Sequence, residues 1–152
     1  GMDIKVLVIE DDMEIVDYNT DMDIAVLKFT RNDLALTAAD LPEDVTLKYG
    51  QTAYVIGNTE GYALSISKGI ISAPLKKFNL NDNYIGEYIQ TDAAISSGSS
   101  GGALITSKGE VVGMVTFRLK SSSSPYVSSG MGFAIPAKTF MSYFRSVLAE
   151  NS

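Results

Sequence analysis

The stretch DAAISSGSSGGAL, residues 92–104, sets Gly98, Gly101 and Gly102 around Ser99 and Ser100, between two apolar runs. A surface turn needs one glycine, sometimes two. Glycine loses more chain entropy on folding than other residues, and it permits backbone conformations and close approaches that they resist. Three of them so close together make sense where backbone N–H groups must be aimed at something. Two readings compete: a flexible Ser/Gly loop, or a nucleophile loop in which Ser100 attacks and N–H groups hold an oxyanion. The rest of the chain decides between them.

At 152 residues the chain suits one domain, or two very small ones sharing an interface. Hydrophobic residues make up 45% and charged residues 20%, an ordinary globular composition rather than a disordered one. Eighteen acidic residues against twelve basic give a formal charge of −6, with no basic run, which argues against a nucleic-acid partner. No apolar stretch approaches membrane-span length, and no signal-peptide pattern is visible. The absence of cysteine excludes disulfides, thiolate metal sites and a cysteine nucleophile. The chain also holds no histidine. No cofactor and no metal is expected. Gly1 ahead of Met2 reads as a tag-cleavage scar, leaving Met2 as a gene start or as the first residue of a trimmed chain.

Short β-type runs recur along the chain with turn signals between them: 5–10, 14–18, 23–29, 52–58, 64–73, 87–95, 102–107, 110–117 and 132–136. The SKG at 107–109 is a tight hairpin signal. Many short strands with regular turns predict an all-β sandwich or barrel. Only the end reads as helix. After Pro136, residues Phe140, Met141, Phe144, Val147 and Leu148 form one apolar stripe, which predicts a helix over 137–149 packed on that face. Residues 31–50 read as a linker, and 78–86 and 121–130 as irregular, mobile segments.

Four blocks then resemble, in order, the trypsin-like serine proteases of the HtrA/Deg type. They are DIAVLK (23–28), AYVIGNTEGYALSISKGIISA (53–73), YIQTDAAISSGSSGGALITSKGEVVGMVT (88–116) and GMGFAIPAKTF (130–140). The family's loop is Gly-Asn-Ser-Gly-Gly, and here it reads Gly98-Ser99-Ser100-Gly101-Gly102. The resemblance implies Ser100 as nucleophile, Asp23 as the triad aspartate, and the N–H groups of Gly98 and Ser100 as the oxyanion hole. Asp17 and Asp21 are neighbouring carboxylates with no motif behind them. Asp92, eight residues before the serine, is expected to be structural. Ala94 stands where a trypsin carries its basic-specific aspartate, so Arg/Lys specificity is not supported. Ile95, Thr116, Phe117 and Arg118 map around the substrate pocket, and Ile95 suggests a small or medium aliphatic P1 side chain. Ser99, in place of aspartate, removes the ion pair by which digestive zymogens activate.

The fold so implied is all-β, with trypsin-like antiparallel barrels. A complete second barrel with a C-terminal helix covers 51–152, and a remnant of the first covers 1–30. The histidine that serves as general base in such triads is absent. The chain is therefore expected to be an N-terminally incomplete serine endopeptidase domain, inactive alone, from an extracytoplasmic or membrane-associated parent. The alternative is a non-catalytic pseudoprotease that binds an extended peptide as an added strand. The expected partner is a peptide or unfolded protein, and exposed strand edges are expected to promote self-association.

Overall fold

The computed structural model describes residues 13–29, 37–58, 64–81, 84–116 and 130–151. Within them run eight strands and one helix: β1 (Met13–Asn19), β2 (Ile24–Phe29), β3 (Thr52–Asn58), β4 (Leu64–Asn81), β5 (Tyr84–Thr91), β6 (Ala103–Thr106), β7 (Val111–Thr116), β8 (Gly132–Pro136) and α1 (Ala137–Glu150). β1 and β2 form an antiparallel hairpin. The other six close into an antiparallel barrel in the order β3-β4-β5-β8-β7-β6. The run expected at 5–10 and the segment 121–129 lie outside the described residues.

Strict alternation makes β3 a barrel strand, since Ala53, Val55 and Gly57 turn inward and are buried. β4 is what lets the sheet close. Its first half pairs with β3, from Asn58↔Leu64 to Thr52↔Ile70, and its second half pairs with β5. Between them the register shifts around Pro74, which has no N–H for the ladder, and the strand bends there.

Of the segment 78–86, expected to be irregular, the described residues 78–81 and 84–86 are instead paired strand ends of β4 and β5: Phe78 pairs with Gly86 and Asn79 with Ile85. Its anchor is aromatic. The Phe78 ring meets Phe133 edge-on at 5.2 Å and lies 6.0 Å from Tyr88. Single-segment composition, rich in Asn, could not register that anchor.

Two apolar clusters result. The barrel interior is built on Ala53, Val55, Ile71, Ile89, Leu104, Val115 and Ala134. The second lies where the hairpin and helix meet the barrel, around Ile24, Tyr88, Phe133 and Ile135, with Phe140 and Tyr143 against them. Residues 37–48 carry no regular structure, yet they are bound to the barrel. Val45 and Leu47 pack on its core, and the Val111 N–H donates to the Asp40 carbonyl at 2.9 Å. Both guanidinium terminal nitrogens of Arg145 donate to the Glu43 carboxylate. That hydrogen bonding holds the Glu43 carboxyl below its usual range and the Arg145 guanidinium above its own.

The buried face of the helix is rotated from its apolar stripe and takes in only part of it. Ala137 and Val147 are buried and Phe140 is half-buried, whereas Phe144 and Leu148 are 37% and 52% exposed. Tyr143 decides the rotation, because its hydroxyl donates to Asp17 Oδ2 at 2.6 Å and its ring joins the second cluster. Desolvation, then the Asp17 hydrogen bond, push the Tyr143 phenol up to about 12. A pKa raised on folding stabilises the fold fully below the unfolded value of 10.0, and that contribution disappears as pH climbs through about 12. Tyr143→Phe should therefore lower the urea midpoint at pH 8. The gap between variant and wild type should close as pH approaches 12. A gap unchanged with pH would show that this hydrogen bond does not link helix and hairpin.

On the hairpin, Ile24 and Val26 face the barrel, while the cross-strand pair Ile15 and Leu27 is 64% and 50% exposed. An apolar pair on a two-stranded sheet invites pairing between copies. We expect the chain to self-associate with concentration in sedimentation velocity, and Ile15→Lys with Leu27→Glu to shift it toward monomer. A wild-type chain that stays monomeric at all concentrations would count against this.

Candidate active site

Ser100 sits exposed at the end of a one-turn 3₁₀ helix, Ser97–Ser99. The turn is closed by the Ser99 N–H donating to the Ser96 carbonyl at 3.0 Å. Beyond it, the Gly102 N–H donates to the Ser99 carbonyl at 2.9 Å, so Ser100 occupies the tip of a tight bend. Two glycines make that bend feasible. Gly101 has φ of 82°, a region unfavourable for residues with a Cβ. A Cβ on Gly102 would collide with the carbonyl oxygen of Ile56. The bend is then fastened to β7: the Gly101 N–H donates to the Val115 carbonyl, and the Val115 N–H to the Gly102 carbonyl, each at 2.8 Å.

The next residue of β7 holds the carboxylate. Thr116, 3% exposed, donates its hydroxyl to Asp23 Oδ2 at 2.7 Å, joining residues 93 positions apart. Asp23 leaves the hairpin turn with φ of 59°, a left-handed conformation that aspartate tolerates better than most residues. The turn before it is fixed by the Met22 N–H donating to Asn19 Oδ1 at 3.0 Å. β7 thus brings together the Ser100 bend, through Val115, and the Asp23 carboxylate, through Thr116.

The other expected residues fall as follows. Gly98 lies in the middle of the 3₁₀ turn. Ile95 is half-buried, and its side chain covers Gly132 on β8, where a Cβ would strike it. Phe117 and Arg118 lie outside the described residues. Asp92 accepts from the Ile70 N–H at 2.7 Å, a structural cap on β4. Asp17 is engaged by Tyr143. Among the described residues no group of three or more acidic side chains is placed to hold a metal ion, and no helix is long and apolar enough to cross a membrane.

Sequence reasoning assigned Thr116 to the substrate pocket and missed its bond to Asp23. The only local signal was a hydroxyl at an inward-facing position ending the run VVGMVT. It also missed why serine stands at position 99. That side chain is 1% exposed, its hydroxyl accepts from the Ser96 N–H at 3.3 Å, and it lies 3.4 Å from the Ser96 hydroxyl.

A closed six-stranded antiparallel barrel, a docked hairpin presenting a carboxylate, and an exposed serine on a glycine-framed bend define a trypsin-like domain. The family model for the trypsin-like peptidase domain matches residues 7–114, and the chain belongs to that family. Its similarity is to the HtrA/Deg proteases. It is 37% identical over 126 residues to a serine protease Do-like HtrA of Lactobacillus helveticus, covering 82% of this chain and 30% of that protein. To the periplasmic serine endoprotease DegP of Escherichia coli (strain K12) it is 36% identical over 126 residues, covering 83% of this chain and 26% of that protein. The solved HtrA-type protease AlgW with decapeptide superposes with a TM-score of 0.75 at 34% identity, covering 90% of this chain and 40% of that one. The chain spans well under two thirds of each relative's own length.

Proposed function

We propose that this chain is the Ser- and Asp-bearing part of a serine endopeptidase site whose general base is supplied by residues outside it. The observation that carries this is the Thr116–Asp23 hydrogen bond beside the Ser100 bend. In this reading Asp23 orients an incoming imidazole, and Thr116 is a positioning residue that holds the carboxylate. The imidazole takes the Ser100 hydroxyl proton as Oγ bonds to the scissile carbonyl carbon. It then passes that proton to the leaving amine as the C–N bond breaks, and water hydrolyses the acyl-enzyme by the reverse roles. Gly98 and Ser100 supply the oxyanion N–H groups.

The 3₁₀ turn bears on that last step. The turn holds Gly98 between Ser96 and Ser99 and is closed by the Ser99 N–H on the Ser96 carbonyl. The oxyanion site needs the N–H groups of Gly98 and Ser100, on either side of Ser99, to converge on one external oxygen about 3 Å away, and the turn opens in this reading for them to do so. We read the turn as the resting form of the oxyanion loop. Ile95, which lies over Gly132, favours a small or medium aliphatic P1 residue in this reading. An extended peptide is the substrate class.

The chain's lack of histidine favours a second reading, a domain that binds peptide without cutting it. One experiment separates the two. A histidine-bearing segment, of the kind a Ser-His-Asp triad requires, is fused ahead of the full chain. Hydrolysis of an aliphatic fluorogenic peptide that depends on Ser100 is expected. A folded fusion that binds peptide and never cleaves it would favour the second reading.

A further inference from the structure

Behind the Ser100 bend, on the β3–β4 side, lies a cavity of about 200 Å³. Its origin is visible in the strand pattern. Ser65 and Ser67 occupy alternate positions of β4, and Gly57 lies across from them on β3, where larger apolar residues would fill the barrel end. Ser96 and Ser99, the hydroxyl pair that braces the 3₁₀ turn, form the wall toward the nucleophile. The rim is Ile66, 66% exposed, and Ala94, also exposed.

The lining contains no ionisable side chain. An ion entering it would lose hydration with no opposite charge to meet, a heavy penalty. The apolar wall is Val55, which shares a face with Ser67, while Ile66, one residue along β4, stays at the exposed rim. The Ser67 hydroxyl donates its proton to the Ala94 carbonyl at 2.8 Å, so what it can present to a guest is an acceptor lone pair. An apolar cavity of about 150 Å³ is already enough for a benzene ring.

We propose that this cavity binds one small, uncharged aromatic group with a single hydrogen-bond donor, of the phenol class, with its ring by Val55 and its donor on Ser67. A guest stabilises whichever conformation contains its site. The Ser96–Ser99 pair is part of this site, so occupancy holds the 3₁₀ turn closed. That inhibitory consequence rests on Ser100 being the nucleophile, whereas the binding does not.

The test is amide NMR of the 152-residue chain titrated with p-cresol, with toluene, and with N-acetyl-tyrosinamide. Saturable shifts are expected at Gly57, Ser96, Gly98 and Ser99, with a p-cresol Kd on the order of 1 mM for so small a guest. Ser67→Ala should weaken p-cresol to the level of toluene. Ala94→Leu, reaching across the rim, should weaken both about tenfold or more, a loss of about 1.4 kcal/mol. Binding of p-cresol without the tyrosine amide assigns the cavity to a free small molecule, and comparable binding of both assigns it to a side chain carried by a polypeptide. Either supports the site. Absence of saturable shifts at these amides, or equal p-cresol and toluene affinities in the wild-type chain, overturns it. The readout needs no hydrolysis, so a fusion that fails to cleave peptide leaves this result standing on its own.

Discussion

Incubated with casein or with a fluorogenic peptide of aliphatic P1, the 152-residue chain is expected to release product no faster than its Ser100→Ala variant. A serine hydroxyl has little nucleophilicity at neutral pH without a base to take its proton. The chain contains no histidine, and Asp23 and Asp92 each already accept a hydrogen bond, from the Thr116 hydroxyl and the Ile70 N–H. Members of a triad act as a unit, so losing the base alone removes on the order of a millionfold in kcat. Steady turnover by the purified chain that Ser100→Ala abolishes would show that another group serves as base, and no imidazole from outside the chain would then be required.

The largest stability effect is expected from Phe133→Ala. Phe133 is 2% exposed on β8 and meets Phe78 at 5.2 Å and Tyr88 at 6.5 Å, both edge-on. The same cluster contains Ile24 from the hairpin and Phe140 from the helix. Removing the ring opens a cavity where three parts of the chain meet. Truncations of this kind cost about 3–5 kcal/mol. A domain's whole stability is about 5–15 kcal/mol. The urea midpoint should fall accordingly, and the exposed Ser100 bend, fastened separately through Val115, should keep its amide shifts wherever the variant remains folded. A loss under about 1 kcal/mol, ordinary for an unremarkable position, would mean that the hairpin and helix are not docked on the barrel through this ring.

Strand content was legible in the residues because alternation is a near-neighbour property. TAYVIGN and GFAIP became β3 and β8 with the limits that their patterns suggested, and the helix begins straight after Pro136. The serine bend was legible for a related reason. A backbone that must adopt positive φ at Gly101 and pass against Ile56 at Gly102 writes its demand directly as glycine. Other features depend on partners far away in the chain. Which helix face is buried was settled by Tyr143 reaching Asp17, 126 positions earlier, which turned Phe144 outward despite its place in the apolar stripe. The ends of β4 and β5 were ordered by a ring on β8, and the chain before β3 was bound by Arg145 from the helix. The site follows the same division. Sequence singled out Ser100 and Asp23 as types in a pattern, but only closure of the barrel put Thr116 of β7 against that carboxylate, since a hydrogen bond across 93 residues has no period to be read from.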